Sequence, residues 1–376
     1  MTTDDSTTDD STRDDSTTDD STSDDRTTED ARLDRGVLEK WVTHLVEAWG
    51  YGGDEAAYLA ATLVDANLRG VDSHGVIRLP AYERRINERL VDPAAAPIVT
   101  VEGSVVRVDA NGAAGQIATR AAVEAALRVS RETGVATAAV HGSTHFGAAG
   151  FYARWLAEQG AVALVVSNSE PIVVPHGGRE ALLGTNPIAF AAPTRGKPIS
   201  LDMATSTSAM GRVLVAQAAR KPIPPTWGVD ADGEPTTDAN AVTALLPAGG
   251  PKGYGLGFLV EILGGVLTGA AVAHDLGNMY NDFSKPQNVG HWLLVLDIEH
   301  FLPLAEFTDR IQGLVDLAHA SAPASGFSSV LVPGEPEDRS AEQRERDGIP
   351  LPPATVVELS ELGERHGLPF PIGDDA

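Results

Sequence analysis

Gly253-Tyr254-Gly255-Leu256-Gly257 is the closest approach this chain makes to a dinucleotide fingerprint, and its spacing is wrong. A Rossmann unit places Gly-x-Gly-x-x-Gly directly after a strand and at the opening of a helix, so that the backbone can approach a pyrophosphate. Here the glycines follow a loop rich in Pro, Gly, Asp and Thr (residues 221–250) and open an apolar helix expected over residues 254–268. Strands and helices nevertheless alternate on both sides of this stretch, so the class is α/β. The sequence predicts an α/β protein without a Rossmann domain.

Toward the N-terminus, residues 188–192 and 199–203 read as strands, and the apolar run 162–167 as a buried one. Before them come a helix over 148–159, a strand over 135–140 and an alanine-rich helix over 117–133 stopped by Gly134. Residues 100–109 alternate like one strand and lead into the turn Asn111-Gly112. Three helices are expected over 37–49, 54–70 and 77–90. Toward the C-terminus follow a strand over 291–297 and a helix over 307–321. Beyond Pro333 comes a polar, loop-rich stretch with one last helix near 355–365. Residues 31–115 and 300–376 are thus mainly helical and are expected to pack together, flanking a sheet-containing part over 116–299.

Composition narrows the function classes. The chain has 376 residues, no cysteine and a formal net charge of -25. Disulfides, thiolate metal sites and a cysteine nucleophile are excluded. Such a surface repels phosphate backbones and anionic lipid heads, so neither nucleic acid nor membrane is an expected partner. No segment offers the roughly 20 apolar residues that span a bilayer, and the polar N-terminus does not read as a signal peptide, so the expected address is cytoplasmic. Residues 1–30 repeat Asp-Asp-Ser-Thr, hold twelve acidic side chains and two arginines, and read as a disordered acidic tail. The rest is acidic too, and only five lysines stand against 23 arginines. That balance suggests a halophilic protein, in which salt screens the carboxylates.

Four segments carry groups suited to chemistry. Asp72-Ser73-His74-Gly75-Val76-Ile77-Arg78 lies between two expected helices. Histidine is the usual proton carrier near neutral pH, Ser73 can fix its ring, and Arg78 can grip a carboxylate through two parallel hydrogen bonds. The same spacing also fits a helix-capping histidine and a solvated arginine. His141-Gly142-Ser143-Thr144-His145-Phe146-Gly147 follows a strand and opens a helix, where small residues and free N–H groups favour an anion. The glycines argue against a helical His-x-x-x-His metal pair, so no metal is expected. Gly184-Thr185-Asn186-Pro187 and Asp202-Met203-Ala204-Thr205-Ser206 each border an apolar strand. Asp202 can bond a ribose hydroxyl, and ordinary turn chemistry is the other reading. Lys252, at a helix start where the dipole disfavours a cation, points either to an anionic partner or to solvent.

In this order the segments resemble the malate/L-lactate dehydrogenase family of the non-Rossmann type. That family also contains ureidoglycolate and sulfolactate dehydrogenases and cyclic imine reductases. The resemblance runs from about Leu38 to Gly367 and also rests on Asn288-Val289-Gly290-His291 and Pro333-Gly334-Glu335. It implies a homodimer, a cofactor domain over 116–299 built on a largely antiparallel sheet, and NAD or NADP as cofactor. It implies His74 as the catalytic proton carrier supported by Ser73, with Arg78, Thr185 and Asn186 as substrate contacts. His145, Phe146, Gly147, Asp202, Met203, Ala204, Lys252, Gly253, Pro333 and Gly334 match cofactor-binding positions. The chain departs from the family's usual Ala-Arg-Gly-Lys at Ala209-Met210-Gly211-Arg212. The absence of an aspartate at Arg212 favours a hydroxy acid over an imine.

The expected activity is reversible oxidation of a small (S)-2-hydroxy acid, with malate the first candidate and lactate-like acids beside it. The rivals are an NADPH-dependent cyclic ketimine reductase and a catalytically silent carboxylate-binding protein on the same fold.

Overall fold

The computed structural model describes residues 30–372, so the acidic tail lies outside the described residues except for Asp30. The chain runs β1 (Ala31–Leu33), α1 (Arg35–Ala48), α2 (Gly53–Leu68), two short 3-10 turns (Asp72–His74 and Val76–Arg78) and α3 (Leu79–Asn87). It continues β2 (Ile98–Glu102), β3 (Val105–Asp109), α4 (Gly115–Thr133), β4 (Val135–Ser143), α5 (Ala149–Glu158), β5 (Ala161–Ser167), β6 (Ile188–Ala192) and β7 (Ile199–Met203). Then come α6 (Met210–Ala218), β8 (Gly228–Val229), β9 (Ala244–Leu245), α7 (Pro251–Val260), β10 (Val289–Asp297), α8 (Leu304–His319), α9 (Glu335–Asp347), β11 (Ile349–Leu351) and α10 (Pro353–Arg365).

Seven strands form one sheet in the order β2-β3-β4-β10-β5-β6-β7. Only β3 and β4 run parallel; the other neighbours are antiparallel. A largely antiparallel sheet is therefore present, in a mixed α/β fold. β10 lies at its centre, and alternate residues of this strand are buried. One core packs α4 and α5 onto the sheet through Ala122, Val123, Ala126, Tyr152 and Leu156 against Val140, Val165 and Leu293. A second joins α1 and α2 to β11 and α10 through Leu38, Trp41, Leu45, Leu59, Leu63, Ile349, Leu359 and Leu362. Helical spacing explains α1, whose buried residues Leu38, Trp41, Val42, Leu45 and Val46 share one face, while Asp34 accepts hydrogen bonds from Gly36 N and Val37 N at its start.

Several expectations change. The single strand read over residues 100–109 is a hairpin of β2 and β3 turning at Gly103, whose φ is +58°. The helix read from residue 77 begins at Leu79, because Gly75 separates two 3-10 turns before it. The loop over 221–250 contains the ribbon β8–β9 and packs Ile223, Ala239 and Leu245 with Val173 and Val213 in a small core. α6 has no counterpart among the expected elements, and Met210 at its start packs against that core. The helix opening at Pro251 passes into a π-turn at Glu261–Val266. Most consequentially, the polar stretch after Pro333 holds α9, which buries none of its residues and so shows no apolar periodicity. Among the described residues no helix is long and apolar enough to cross a membrane.

Candidate active site

The Asp72–Gly75 loop is pinned from two sides. Asn67, near the end of α2, donates from Nδ2 to Asp72 Oδ1 at 2.8 Å and accepts from Val76 N at 2.9 Å. A Cβ at Gly75 would lie 2.1 Å from the Asn67 amide oxygen, so only glycine lets the chain pass. From the other side Arg344 of α9 grips both Asp72 oxygens, at 2.6 and 3.0 Å. Asp72 and Gly75 therefore fix the loop, and Ser73 and His74 are the residues it presents.

The Ser73 hydroxyl and His74 Nδ1 are 3.0 Å apart. The His74 ring stacks on His145, with centroids 5.4 Å apart. His145 Nδ1 lies 2.8 Å from the Tyr82 hydroxyl, which in turn accepts from Gln116 Nε2 at 2.9 Å, and Gly147 N–H also donates to this nitrogen at 3.3 Å. With Gly147 as donor, His145 Nδ1 is an acceptor and its Nε2 carries the hydrogen. Burial lowers the His74 pKa to about 4, with Arg78 adding to the effect. Burial, then Arg78 and His74, hold His145 well below the ordinary range as well. Two neutral imidazoles thus stand side by side at neutral pH.

Arg78 donates from Nε to the Ser73 carbonyl at 2.5 Å, and its guanidinium lies 5.0 Å from the Tyr280 ring centroid. No carboxylate among the described residues lies within ion-pair distance of it, so the fork remains open. Arg85, buried two turns of α3 further on, donates to the carbonyls of Asn278 and Lys285 and closes the loop that carries Tyr280.

Thr185 is held by Ser169: Thr185 N–H donates to Ser169 Oγ at 3.1 Å, and Ser169 N–H donates to Asn186 Oδ1 at 3.1 Å. Asn186 is fully buried, and its Nδ2 donates to Gly257 O and Glu261 Oε2 at 2.9 and 2.8 Å. Both ends of its amide are engaged by protein, so it holds Ser169 and thereby Thr185 in place. Phe146 is likewise buried, stacked on His291 with centroids 4.2 Å apart. His291 is clamped between the Ser143 and Ser167 hydroxyls at 2.8 and 2.9 Å. This cluster anchors the backbone next to His145. The family motif around His291 marks it in the sequence, but nothing there says that it supports His145.

Beyond His145, Phe146 and Gly147, the residues matched to a cofactor fall into two groups. Asp202 and Met203 end β7, against which Pro333 and Gly334 pack: Ser200 N–H donates to Pro333 O at 3.1 Å, and a Cβ at Gly334 would crowd Ser200 at 3.0 Å. Asp202 Oδ2 accepts from Gly150 N–H at 2.7 Å. The start of α5 is thereby capped by a protein carboxylate, not left free for an anion as its glycines suggested. Asp202 is nonetheless exposed, its Oδ1 is free, and the surrounding protein pushes its pKa up to about 6. Lys252 belongs to the second group, near Thr205 and Leu183, which meet Gly257 one and a half turns along α7. It is exposed, on a helix start preceded by Gly249 and Gly250 at positive φ, and a Cβ at Gly249 or Gly255 would meet nothing within 4 Å. Gly253 has a packing reason of its own, since a Cβ there would strike the Ala248 backbone at 2.2 Å. An open carboxylate for paired hydroxyls, an exposed ammonium and uncrowded glycine backbone suit a dinucleotide. Met203 and Ala204 link the two groups along the chain. Among the described residues no group of three His, Asp or Glu side chains is placed to hold a metal ion.

The buried histidines make a prediction. His74 and His291, with folded pKa values of about 4 and 3, and His145 all resist protonation in the folded state, whereas an unfolded histidine titrates near 6.5. Stability is complete above that value and is lost as pH falls below it. Each group contributes up to roughly 1.4 kcal/mol per pH unit within its window. Asp202 acts in the opposite sense between about 6 and 3.8, but it is exposed, and solvent screening leaves it to offset only part of one such contribution. Urea unfolding at stepped pH should show stability falling by roughly 2 to 3 kcal/mol per unit between pH 6 and 4; a flat profile would contradict three neutral histidines.

A neutral imidazole beside a guanidinium with no carboxylate partner, on a mainly antiparallel α/β fold, is an arrangement suited to a non-Rossmann nicotinamide-dependent dehydrogenase. The family model for malate/L-lactate dehydrogenase matches residues 33–360, and the chain belongs to that family. It is 36% identical to malate dehydrogenase from Pyrococcus horikoshii, over 90% of this chain and 96% of that protein. The solved structure of that enzyme superposes with a TM-score of 0.82, at 34% identity over 90% of this chain and 96% of that one. It is 35% identical to ureidoglycolate dehydrogenase (NAD(+)) from Escherichia coli K12, over 85% of this chain and 92% of that protein. It is 38% identical to (2R)-3-sulfolactate dehydrogenase (NADP(+)) from Chromohalobacter salexigens, over 84% of this chain and 92% of that protein. The chain is a 2-hydroxy acid dehydrogenase that uses NAD or NADP.

Proposed function

We propose that this chain reversibly oxidises a small (S)-2-hydroxy acid at the 2-position, with His74 as the proton carrier. The observation that carries this reading is the neutral His74, oriented by Ser73, beside the unpaired fork of Arg78. With Nδ1–H donated to Ser73 Oγ, the His74 Nε2 lone pair is free to accept the substrate's hydroxyl proton. In the reverse direction the imidazolium returns that proton to the 2-oxo oxygen. Arg78 holds the C1 carboxylate through two charge-assisted bonds. His145, fixed by Tyr82 and Gly147, offers its Nε2–H to the same oxygen and stabilises charge developing there. Thr185, set by Ser169 and Asn186, supplies a further substrate contact.

The nicotinamide cofactor supplies the hydride acceptor and donor when bound. Asp202 is suited to its ribose hydroxyls and Lys252 to its phosphates. His145, Gly147 and the Pro333–Gly334 turn border the same surface. Residues 116–299 are read as the cofactor-binding part, and residues 31–115 with 300–376 as the part that carries His74. We read the enzyme as a cytoplasmic homodimer. The apolar face of α7 and its π-turn supports a second copy, for Leu256, Phe258, Leu259, Ile262, Val266 and Leu267 are all exposed.

The family relatives act by name on malate, ureidoglycolate and sulfolactate, and malate is the first candidate that the resemblance offers. The test is a panel of 2-oxo acids and a cyclic imine with NADH and NADPH, followed by absorbance at low and molar KCl. Turnover of a 2-oxo acid is expected, with more activity in salt. Turnover of the imine alone, or of none, would overturn the reading; best activity without salt would count against halophily.

A further inference from the structure

A groove of about 390 Å³ opens between α9 and the ribbon of β1 and β11. Arg32 and Pro350, which face each other in the ribbon, form one wall. Arg339, Ser340, Gln343 and Arg344, on one face of α9, form the other. Among the described residues no carboxylate lines it, and no residue matched to substrate or cofactor does. In a chain of formal net charge -25, three guanidiniums around one groove are out of keeping with the rest of the surface.

The acidic residues of α9 are drawn elsewhere. Asp338 pairs with Arg69 at 2.8 Å, Glu342 with Lys197 at 2.7 Å and Glu335 with His319 at 2.8 Å. Arg339 is exposed and, among the described residues, has no carboxylate within ion-pair distance. Arg344 is engaged on one edge only. Its Nη1 donates to Asn67 O and Asp72 Oδ1, and its Nη2 to Asp72 Oδ2. That occupies three of the five N–H groups of a guanidinium. The Nε–H and the second Nη2–H lie parallel on the adjacent edge, a geometry that takes two oxygens of one oxyanion. Among the described residues nothing accepts from them, and Arg344 lines the groove with this edge unspent.

We infer that the groove binds a small oxyanion carrying two or more negative charges, of the phosphate or pyrophosphate class, held by the free edge of Arg344 and by Arg339 and Arg32. An anion there fixes the Arg344 guanidinium from its second side and so strengthens its grip on Asp72, which holds the loop that presents His74. The site stands on its own geometry; its effect on turnover rests on His74 as the proton carrier. Arg32 and Arg339 are exposed, so salt screens the groove and weakens the binding.

The probe is pyrophosphate, titrated calorimetrically into the full-length enzyme at low ionic strength. NADH or NADPH is kept saturating, so that the surface proposed for the cofactor's own phosphates is filled. One site per chain is expected. The double variant Arg32→Gln/Arg339→Gln should weaken it by about tenfold or more, with thermal unfolding and basal turnover unchanged when pyrophosphate is absent. The single Arg339→Gln, at an exposed position, keeps the test open if the double variant does not fold. In the parent enzyme pyrophosphate should raise kcat for a 2-oxo acid by about twofold or more over KCl of equal ionic strength, and in the variant it should not. No binding to the folded parent, or equal affinity in a folded variant, overturns the site. Binding that leaves kcat unchanged overturns the link to His74. If no 2-oxo acid is turned over, the 2-hydroxy acid reading fails, and the titration alone still decides the site.

Discussion

Replacing His74 by alanine is expected to lower kcat for a 2-hydroxy acid by about 10²–10⁴-fold while leaving cofactor affinity close to that of the parent enzyme. The size follows from the work a positioned base does when a hydroxyl proton leaves together with a hydride. Water is a poor substitute inside a site where His74 is enclosed and its pKa is held at about 4. Cofactor affinity should persist because Asp202 and Lys252 lie on other elements, at the end of β7 and the start of α7. Titration of nucleotide fluorescence with NADH or NADPH separates the two effects. Turnover within about threefold of the parent would remove His74 from the mechanism and shift attention to His145, whose ring stacks against it.

Replacing Arg78 by methionine should raise KM and lower kcat/KM by about 10²–10⁴-fold, since two charge-assisted bonds to a carboxylate are lost at roughly 1.5–3 kcal/mol each. Methionine keeps much of the side chain's apolar volume, so the Tyr280 face stays covered. Lysine should recover only part of the loss, because a single ammonium cannot make both bonds of a planar fork. Added guanidinium should restore some activity to a truncated Arg78→Ala enzyme. A KM for 2-hydroxy acids that does not move would mean that the carboxylate binds elsewhere.

Much of the fold and of the site is legible in the linear chain. The residues bearing reactive groups stand out as histidine, serine and arginine within six positions, but that spacing fits a capping histidine as well, and only the resemblance gives them roles. The class α/β follows from alternating patterns, and the missing Gly-x-Gly-x-x-Gly excludes the commonest dinucleotide fold. Asn186 and Phe146 look like ligand contacts in a linear motif. Both are buried and also hold neighbours in place, a role that a motif does not display.

Residue type and periodicities of two and 3.6 are enough to say which groups could do chemistry, that the class is α/β, and that the chain is acidic and free of cysteine. These are local properties, and any stretch of the chain carries its own share of them. What holds the site together is a different matter, visible only once the chain is folded. α9 is polar all round, so no periodicity reveals it, yet its Arg344 grips Asp72 from 272 residues away and thereby presents His74. The pairing of His74 with His145, the pinning of Gly75 by Asn67 and the capping of α5 by Asp202 likewise join side chains and backbone that only the fold brings together. Their partners are chosen by packing, and packing is a property of the folded chain.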